Sequence, residues 1–322
     1  MVCRVVAVLF CAGISMAGLF WVPAAAGEEV PTLSADRQIG LGDHFFKSGE
    51  YDRAVTAYET FLYFFPGHEQ AAYARFQVAR SFLKQGKTEA ALERFEKIYS
   101  EGSGTQFQVE AGFMAARCYT ALGMKDRALS MLSLVGETTD DPAVRERIFY
   151  ETGWTWLEAF PVLTEAEIAA AAANFEQIPV TAGKRLHVQA VLDALEQARH
   201  HDDGLLASMK SPGLAGTLAV IPGAGYLYCE RYHDALISFL FNGAMVLAAW
   251  EAFDEGHEAL GAVLSVVELG FYGGSIYGSM SAAHKHNRRR TGIFMEGLRS
   301  IGAGFVPAGE GVEVRVSFQQ PF

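Results

Sequence analysis

The side chains that could bind a metal or act as a nucleophile are few in this sequence. Residues 200–203 read His-His-Asp-Asp, but consecutive positions on a helix point to different sides and cannot converge on one ion. We interpret this run as a solvated helix end. The sequence shows no nucleophile elbow, phosphate-binding loop or paired metal ligands. We therefore expect a protein that is not an enzyme and that carries no metal or other cofactor.

The four cysteines do not form a disulfide framework or a metal-binding pattern. Cys3 and Cys11 fall in an apolar N-terminal stretch, and Cys11 follows Phe10 rather than the small residue that a lipoprotein acceptor needs. Cys118 and Cys229 belong to no CxxC or Cys/His cluster. We expect both to be small buried apolar side chains.

Composition argues against one class of partner. The formal net charge is -11, with 50% hydrophobic and 20% charged residues. Because binding to phosphate backbones requires a basic face, nucleic acid is not an expected partner. The polar residues concentrate in the first two-thirds of the chain, and the long apolar runs lie between residues 214 and 283.

The N-terminus has the features of a secretory signal. Arg4 precedes an apolar stretch at 5–20, Pro23 breaks it, and three alanines end at Ala26. We predict a signal peptide at 1–26, with an uncleaved anchor as the alternative. Both interpretations place the following domain outside the cytoplasm.

A repeat with a period of 37 residues follows. Gly49, Gly86 and Gly123 stand in similar settings at that interval. Small and aromatic residues recur at fixed distances from each glycine: Gly42, Ala79 and Ala116; Phe45, Phe82 and Tyr119; Ala54, Ala91 and Ala128; Tyr58, Phe95 and Leu132. Glycine permits the left-handed turn that ends a helix, and small residues let antiparallel helices approach closely. Each helix pair then leaves an apolar side that a neighbouring pair covers, which predicts an all-α solenoid.

These spacings resemble the tetratricopeptide repeat of exported envelope proteins, and Pro66 falls where that family ends its second helix. The resemblance implies a solenoid over 33–201. Its units are 35–68, 72–105, 109–142 and a degenerate 146–179, followed by a capping helix at 182–201. It also implies a concave groove that binds an extended peptide or a helix of a partner protein.

Projection of the first helices predicts which side chains face that groove. The cationic and aromatic candidates are Phe46, Lys47, Tyr73, Phe76, Arg80, Lys84, Phe113 and Arg117. A basic, aromatic-lined groove suits a partner segment that carries carboxylates. The alternative is that these are ordinary solvated repeat residues. The carboxylate-binding members of the family use asparagines that this sequence lacks, so the ligand type stays open.

A hydrophobic membrane module is predicted at 211–290. Its apolar segments are 214–229, 235–250 and 259–283, and the last is long enough to span a bilayer. Pro222 and Gly223 interrupt the first, which favours a broken or re-entrant element there over a clean span. The basic run 284–290 should stay cytoplasmic. With the repeats outside, this favours three crossings over two, and it predicts an inner-membrane protein with a periplasmic repeat domain.

The run from Ser211 to Arg290 resembles small bacterial membrane domains whose signature reads Pro-Gly-x-Gly-Gln-x-Tyr. Pro222, Gly223, Gly225 and Tyr228 match it, whereas Tyr226 stands in place of the glutamine. That resemblance implies a small α-helical membrane module and supplies no activity.

Two features of the last apolar segment suggest interactions. Gly270, Gly274 and Gly278 form a stripe that permits close helix packing, within the module or between copies in self-association. Glu268 is an ionisable residue inside an apolar helix. It is either functional or a protonated acid hydrogen-bonded to a neighbour such as Asn242.

The remaining residues, 291–322, read as a glycine-rich tail with one possible strand at 312–318. Taken together, the sequence predicts a membrane-anchored scaffold of the bacterial cell envelope with an envelope protein or peptide and membrane lipid as partners. The alternative is a regulatory or structural component of a membrane transport or lipid-handling system.

Overall fold

The computed structural model describes residues 34–102, 106–179 and 182–302. Across these residues the chain forms helices joined by turns, without a strand, which confirms the predicted all-α class. The predicted signal peptide at 1–26 and the possible strand at 312–318 lie outside the described residues.

Nine helices build the repeat domain as antiparallel pairs: α1 (Ala35–Lys47), α2 (Tyr51–Phe64), α3 (Ala71–Lys84), α4 (Thr88–Ser100), α5 (Gln106–Ala121), α6 (Lys125–Glu137), α7 (Pro142–Glu158), α8 (Glu165–Phe175) and α9 (Ala182–His200). Each helix packs on the next one along the chain, through to α9. The result is a stack of four pairs closed by α9. Among the described residues, its buried side chains form three clusters along the stack, and the partly buried Phe82 packs against both the first and the second.

The repeat glycines and small residues have the roles that the pattern predicts. Gly49 and Gly86 have φ of 79° and 76° and follow the first helix of their pairs. At Gly42, an added Cβ would lie 2.5 Å from the ring of Tyr58. Glycine there lets α1 and α2 approach more closely than any side chain would permit.

The predicted core positions of each second helix are buried. Tyr58 and Phe95 are fully buried and Leu132 is 1% exposed. The fourth pair is joined by a longer connection and begins its second helix with a capping box between Thr164 and Glu167. Cys118 is fully buried and Cys229 is 3% exposed, which confirms the expectation for both.

Four further helices follow: α10 (Pro212–Leu218), α11 (Ala224–Tyr228), α12 (Tyr232–Asp254) and α13 (Glu258–Gly302). The antiparallel α12 and α13 form a hairpin. The short α10 and α11 pack on α13, where Tyr272 donates to the Val220 carbonyl at 2.6 Å and the Cys229 thiol lies 3.7 Å from the Ser279 carbonyl. The chain thus runs along α13 and turns back, as expected of a re-entrant element, and this arrangement does not support counting the segment around Pro222 as a third crossing.

Helix α13 joins the hairpin to the repeat domain. It continues through Arg290 to Gly302, so the predicted boundary between membrane module and tail at 290/291 falls inside a helix. At a rise of 1.5 Å per residue, its 45 residues span roughly 67 Å. Its last turns bury Met295 and Leu298 in the same core as Leu195 of α9.

Candidate interaction surfaces

The first helices α1, α3 and α5 carry the predicted groove residues, but not all of these residues are accessible. Phe113 is fully buried and Phe76 is 4% exposed, both within the core between repeats. The prediction that they line the groove is wrong, because neighbouring first helices pack over these positions. Lys47 is exposed, and Phe46, Tyr73 and Lys84 are partly buried.

Asp43 organises the inner side of the first two repeats, although the sequence analysis did not single it out. Its Oδ1 accepts from the hydroxyls of Tyr58 at 2.6 Å and Tyr73 at 2.7 Å. Burial, together with this carboxylate, raises the pKa of Tyr73 to about 12. An aspartate directly after the small residue of the first helix was the available signal.

Arg117, a predicted groove residue, and Arg147 on α7 each form an ion pair with a carboxylate of the neighbouring repeat. The Nε of Arg117 donates to Glu151 at 2.9 Å, and a second bond makes the contact bidentate. Arg147 forms a bidentate pair with Glu110, and its guanidinium lies 4.0 Å from the ring centroid of Phe113. These pairs connect α5 to α7. Arg117 is thus already bound within the chain, which the groove prediction did not anticipate.

Arg80 is held differently. It is 7% exposed, donates to Gln77 at 3.1 Å, and its guanidinium lies 4.9 Å from the ring centroid of Phe46. In the part of the chain that the structure describes, it makes no ion pair. Burial lowers the pKa of Arg80, while the nearby Tyr73, Tyr58 and Glu110 oppose this shift.

The hairpin interface carries a row of polar side chains between two apolar helices. The hydroxyls of Ser238 and Ser275 are 2.7 Å apart, and Asn242 donates to the Ser238 carbonyl at 2.7 Å. Asn242 Oδ1 and both carboxyl oxygens of Glu268 are buried without a hydrogen-bond partner among the described residues. The predicted hydrogen bond between Glu268 and Asn242 is absent from that set.

The signature residues of the module position α10 and α11. Gly223 has φ of 86° and forms the turn after Pro222. A Cβ at Gly225 would lie 2.3 Å from the Ala215 carbonyl oxygen, and the Tyr228 hydroxyl accepts from the Ser211 backbone at 3.0 Å. These residues close a tight local fold against α13.

The three glycines of the stripe on α13 have different surroundings. A Cβ at Gly278 would lie 1.9 Å from the Tyr226 hydroxyl oxygen, so this glycine is covered within the module. Nothing lies within 4 Å of the Cβ positions at Gly270 and Gly274.

The basic run lies beside the end of the repeat domain. His286 Nε2 is 3.2 Å from the Ser208 carbonyl, and Arg290 donates to the Ser208 hydroxyl at 3.0 Å. Asn287 bonds both backbone groups of Lys210. A membrane cannot separate groups in direct contact, so the prediction that 284–290 lies on the side opposite the repeats is wrong.

The hairpin exposes a large apolar surface. Two described helices are long and apolar enough to cross a membrane, Tyr232–Asp254 and Glu258–Ile301, with mean hydropathy of 1.6 and 1.5. Only 17% of the most apolar stretch of each helix is buried, and Leu247, Trp250 and Leu269 are at least 70% exposed. Apolar surface of this extent marks a contact with lipid or with other protein.

The predicted solvated helix end is also observed. Residues 200–203 are exposed at the end of α9 and the turn after it. Across 34–102, 106–179 and 182–302, the structure has no group of three or more His, Cys, Asp or Glu side chains that could hold a metal ion.

Comparison with known proteins supports the repeat assignment. Residues 82–146 match the family model of the tetratricopeptide repeat. A tetratricopeptide repeat protein from Parabacteroides merdae has a TM-score of 0.42 and 16% identity, over 83% of this chain and 93% of that one. A Rap protein solved with the competence and sporulation factor has a TM-score of 0.37 and 14% identity, over 84% and 75%. No curated protein matches the chain. By the family-model match over residues 82–146, this all-α chain is similar to tetratricopeptide repeat proteins in that segment.

Proposed function

We propose that this chain is a non-enzymatic scaffold, anchored in a bacterial membrane by the α12–α13 hairpin, whose repeats bind a protein or peptide partner. Arg80 is the observation that carries the proposal. The inner-face arginines Arg117 and Arg147 have carboxylate partners in the neighbouring repeat, whereas no described carboxylate pairs with Arg80.

A buried cation without a directly bonded carboxylate is costly, and the nearby Glu110 is already paired with Arg147. A ligand carboxylate that pairs with Arg80 relieves that cost. Arg80 lies beside the partly buried Tyr73 and Lys84 on the inner side of the stack. An extended segment of a partner, with a carboxylate at Arg80 and apolar side chains along Phe46 and Tyr73, fits this arrangement.

The anchor follows from the exposure of the hairpin. Apolar core helices of a soluble protein are mostly buried, but α12 and α13 direct most of their apolar side chains outward. Hydrocarbon is the environment that accommodates such a surface without a further protein. The open Gly270–Gly274 face offers a site for self-association between copies in the membrane.

For orientation, two signals in the chain oppose each other. The N-terminal signal directs the repeats out of the cytoplasm, whereas the basic run beside them favours the cytoplasm. The first hydrophobic segment usually dominates topology. We therefore propose that the repeats, together with residues 284–290, face the periplasm from the inner membrane.

The test is a crosslinked pull-down from host membranes with wild type, Arg80→Gln and the matched control Arg75→Gln. Arg75 is an exposed arginine on the same helix, α3. A discrete protein retained by wild type and by the control but lost with Arg80→Gln supports the proposal. If all three chains retain the same proteins, the inner face around Arg80 is not the binding site.

A second candidate is a component of a transport or lipid-handling system. The buried, unpartnered oxygens of Glu268 and Asn242 inside the hairpin favour it, since intramembrane acids commonly serve such functions. Glu268→Gln preserves shape but cannot ionise. If a strain with this variant keeps the phenotype of wild type, while a deletion strain does not, the transport role loses its central residue.

A further inference from the structure

A cleft of about 510 Å³ lies between α12 and α13, at the end of the hairpin nearer the repeat domain. Charged residues line one end of the cleft and aromatic residues line the other. Arg231, Asp234 and Lys285 line one end, and Phe241 and Phe271 line the other, with ring centroids 4.8 Å apart. A cleft that is charged at one end and apolar at the other suits an amphipathic ligand.

The position of the cleft relative to the hairpin indicates where each end would lie in a bilayer. Ser238 and Ser275 are in contact, which sets the antiparallel register of the two helices. Arg231 precedes Ser238 by seven residues and Lys285 follows Ser275 by ten, so the charged end lies on the order of 10–15 Å further along.

The same end coincides with the limit of the apolar surface. The apolar run of α13 stops at Ala283, and α12 begins at Tyr232, which is 67% exposed. Tyrosine is typical of the interface between hydrocarbon and headgroups. With the hairpin inserted as proposed above, the charged end of the cleft lies at headgroup level and the aromatic end lies inside the hydrocarbon layer.

The charges define the headgroup. Arg231 forms an ion pair with Asp234, and Lys285 makes no ion pair among the described residues. Two cations and one carboxylate leave a net positive charge at the mouth of the cleft, which one phosphodiester would neutralise.

The inner wall defines the rest of the ligand. The hydroxyls of Ser238 and Ser275 line the cleft below the charged end. One of the two donates to the other, so the remaining hydroxyl proton of the pair can donate to an ester carbonyl of a glycerolipid. Below them, Ile237, Phe241 and Phe271 form an apolar wall along which an acyl chain can lie.

We propose that this cleft binds one anionic glycerophospholipid, with its phosphate between Arg231 and Lys285 and one acyl chain along the aromatic end. The inference depends on the proposed insertion of the hairpin in a membrane. The bound lipid completes the surface between the two helices at the level where they meet the repeat domain.

The experiment measures lipid binding to the full chain in nanodiscs and by native mass spectrometry after mild detergent extraction. Wild type should retain about one phosphatidylglycerol and prefer it to phosphatidylcholine. The double variant Arg231→Gln/Lys285→Gln should bind it at least about tenfold more weakly, since each charge-assisted contact is worth roughly a factor of ten or more.

The matched control is Arg288→Gln/Arg289→Gln, which removes two exposed charges of the same helix end outside the cleft. It should change affinity less than about twofold, in proportion to diffuse surface attraction alone. An equal loss in both variants, or no retained lipid in wild type, overturns the proposal. Displacement of the lipid by millimolar inorganic phosphate would reveal a free-phosphate site and would also overturn it.

Carbonate extraction separates this inference from the anchor itself. Both double variants should stay in the membrane fraction, because the apolar faces of α12 and α13 are unchanged. Release of wild type by carbonate would contradict the anchor, whereas retention of all chains without lipid selectivity contradicts the cleft alone.

Discussion

Asn287 on α13 bonds both backbone groups of Lys210, accepting from the N–H at 2.8 Å and donating to the carbonyl oxygen at 2.8 Å. The two residues are 77 positions apart, and Asn287 is 8% exposed. This contact attaches the long helix to the end of the repeat domain. It also requires the basic run and the repeats to share one side of any membrane that the hairpin crosses.

Removal of this contact should destabilise the full chain. Asn287→Ala leaves two backbone groups of Lys210 without their partner, at a cost of roughly 1–3 kcal/mol. Thermal unfolding in detergent, followed by circular dichroism, measures it. The neighbouring Arg288→Ala removes an exposed side chain and should change stability by less than about 0.5 kcal/mol. Equal effects of the two substitutions would contradict the importance of the Asn287 contact.

The topology can be mapped with single cysteines at exposed positions. Ser100→Cys in α4 and Arg289→Cys in α13 should react with a membrane-impermeant maleimide from the same side, and Glu255→Cys from the other. The native Cys118 and Cys229 are buried and should contribute little background. Labelling of Ser100→Cys and Arg289→Cys from opposite sides would exclude the two-crossing hairpin. The side of the membrane from which Ser100→Cys is labelled shows whether the N-terminal signal or the basic run determines the orientation.

Substitution by alanine at two glycines of α1 should change the stability of the protein in opposite directions. Gly42→Ala places a Cβ 2.5 Å from Tyr58 and should cost about 1–3 kcal/mol. Gly40→Ala meets nothing within 4 Å and should stabilise by about 0.5–1 kcal/mol through helix propensity. Chemical denaturation of both variants provides the comparison. A loss of stability at Gly40 would show that propensity does not govern this helix.

The pair between α5 and α7 should be coupled. Arg117→Ala leaves the carboxylate of Glu151 buried, since that side chain is 7% exposed, with only the longer 4.0 Å contact to Arg147. The cost should be about 2–3 kcal/mol, below the range for fully buried pairs because the Arg117 side chain is 31% exposed. In a double-mutant cycle, adding Glu151→Ala to Arg117→Ala should restore part of the lost stability. The exposed pair of Lys97 and Glu101 is the control, and its loss should lower stability by less than about 1 kcal/mol.

The Cys118 thiol supplies a pH test of the repeat core. Burial raises its pKa from 9.0 to about 12. Above pH 9 the unfolded thiol loses its proton while the folded one keeps it, so stability falls as pH rises through this window. At pH 8, iodoacetamide should react with the unfolded chain and scarcely with the folded one. Rapid alkylation of Cys118 in the folded chain would contradict the closed core around α5.

The repeat pattern could be predicted because its signals are local and periodic. Gly49 and Gly86 end helices through their own backbone conformation, and Ala54 and Ala91 face a neighbour at a fixed distance along the chain. The groove residues were harder, since burial of Phe113 depends on how closely adjacent first helices stack. Arg117 and its carboxylate are 34 residues apart, and only the curvature of the stack determines which acid reaches which arginine.

The sequence by itself determined the antiparallel helix pairs, the turns between them and the two long apolar helices, because helix propensity, glycine turns and hydropathy act over short stretches of chain. The tertiary structure decided between a crossing and a return for α10 and α11, both of which the sequence left open, and it alone decided that α13 continues past Arg290 to the repeat domain. Those outcomes depend on contacts between residues far apart, such as Tyr272 with Val220 and Asn287 with Lys210. Hydropathy measures the preference of each segment for lipid, but packing between segments sets the side on which each one ends.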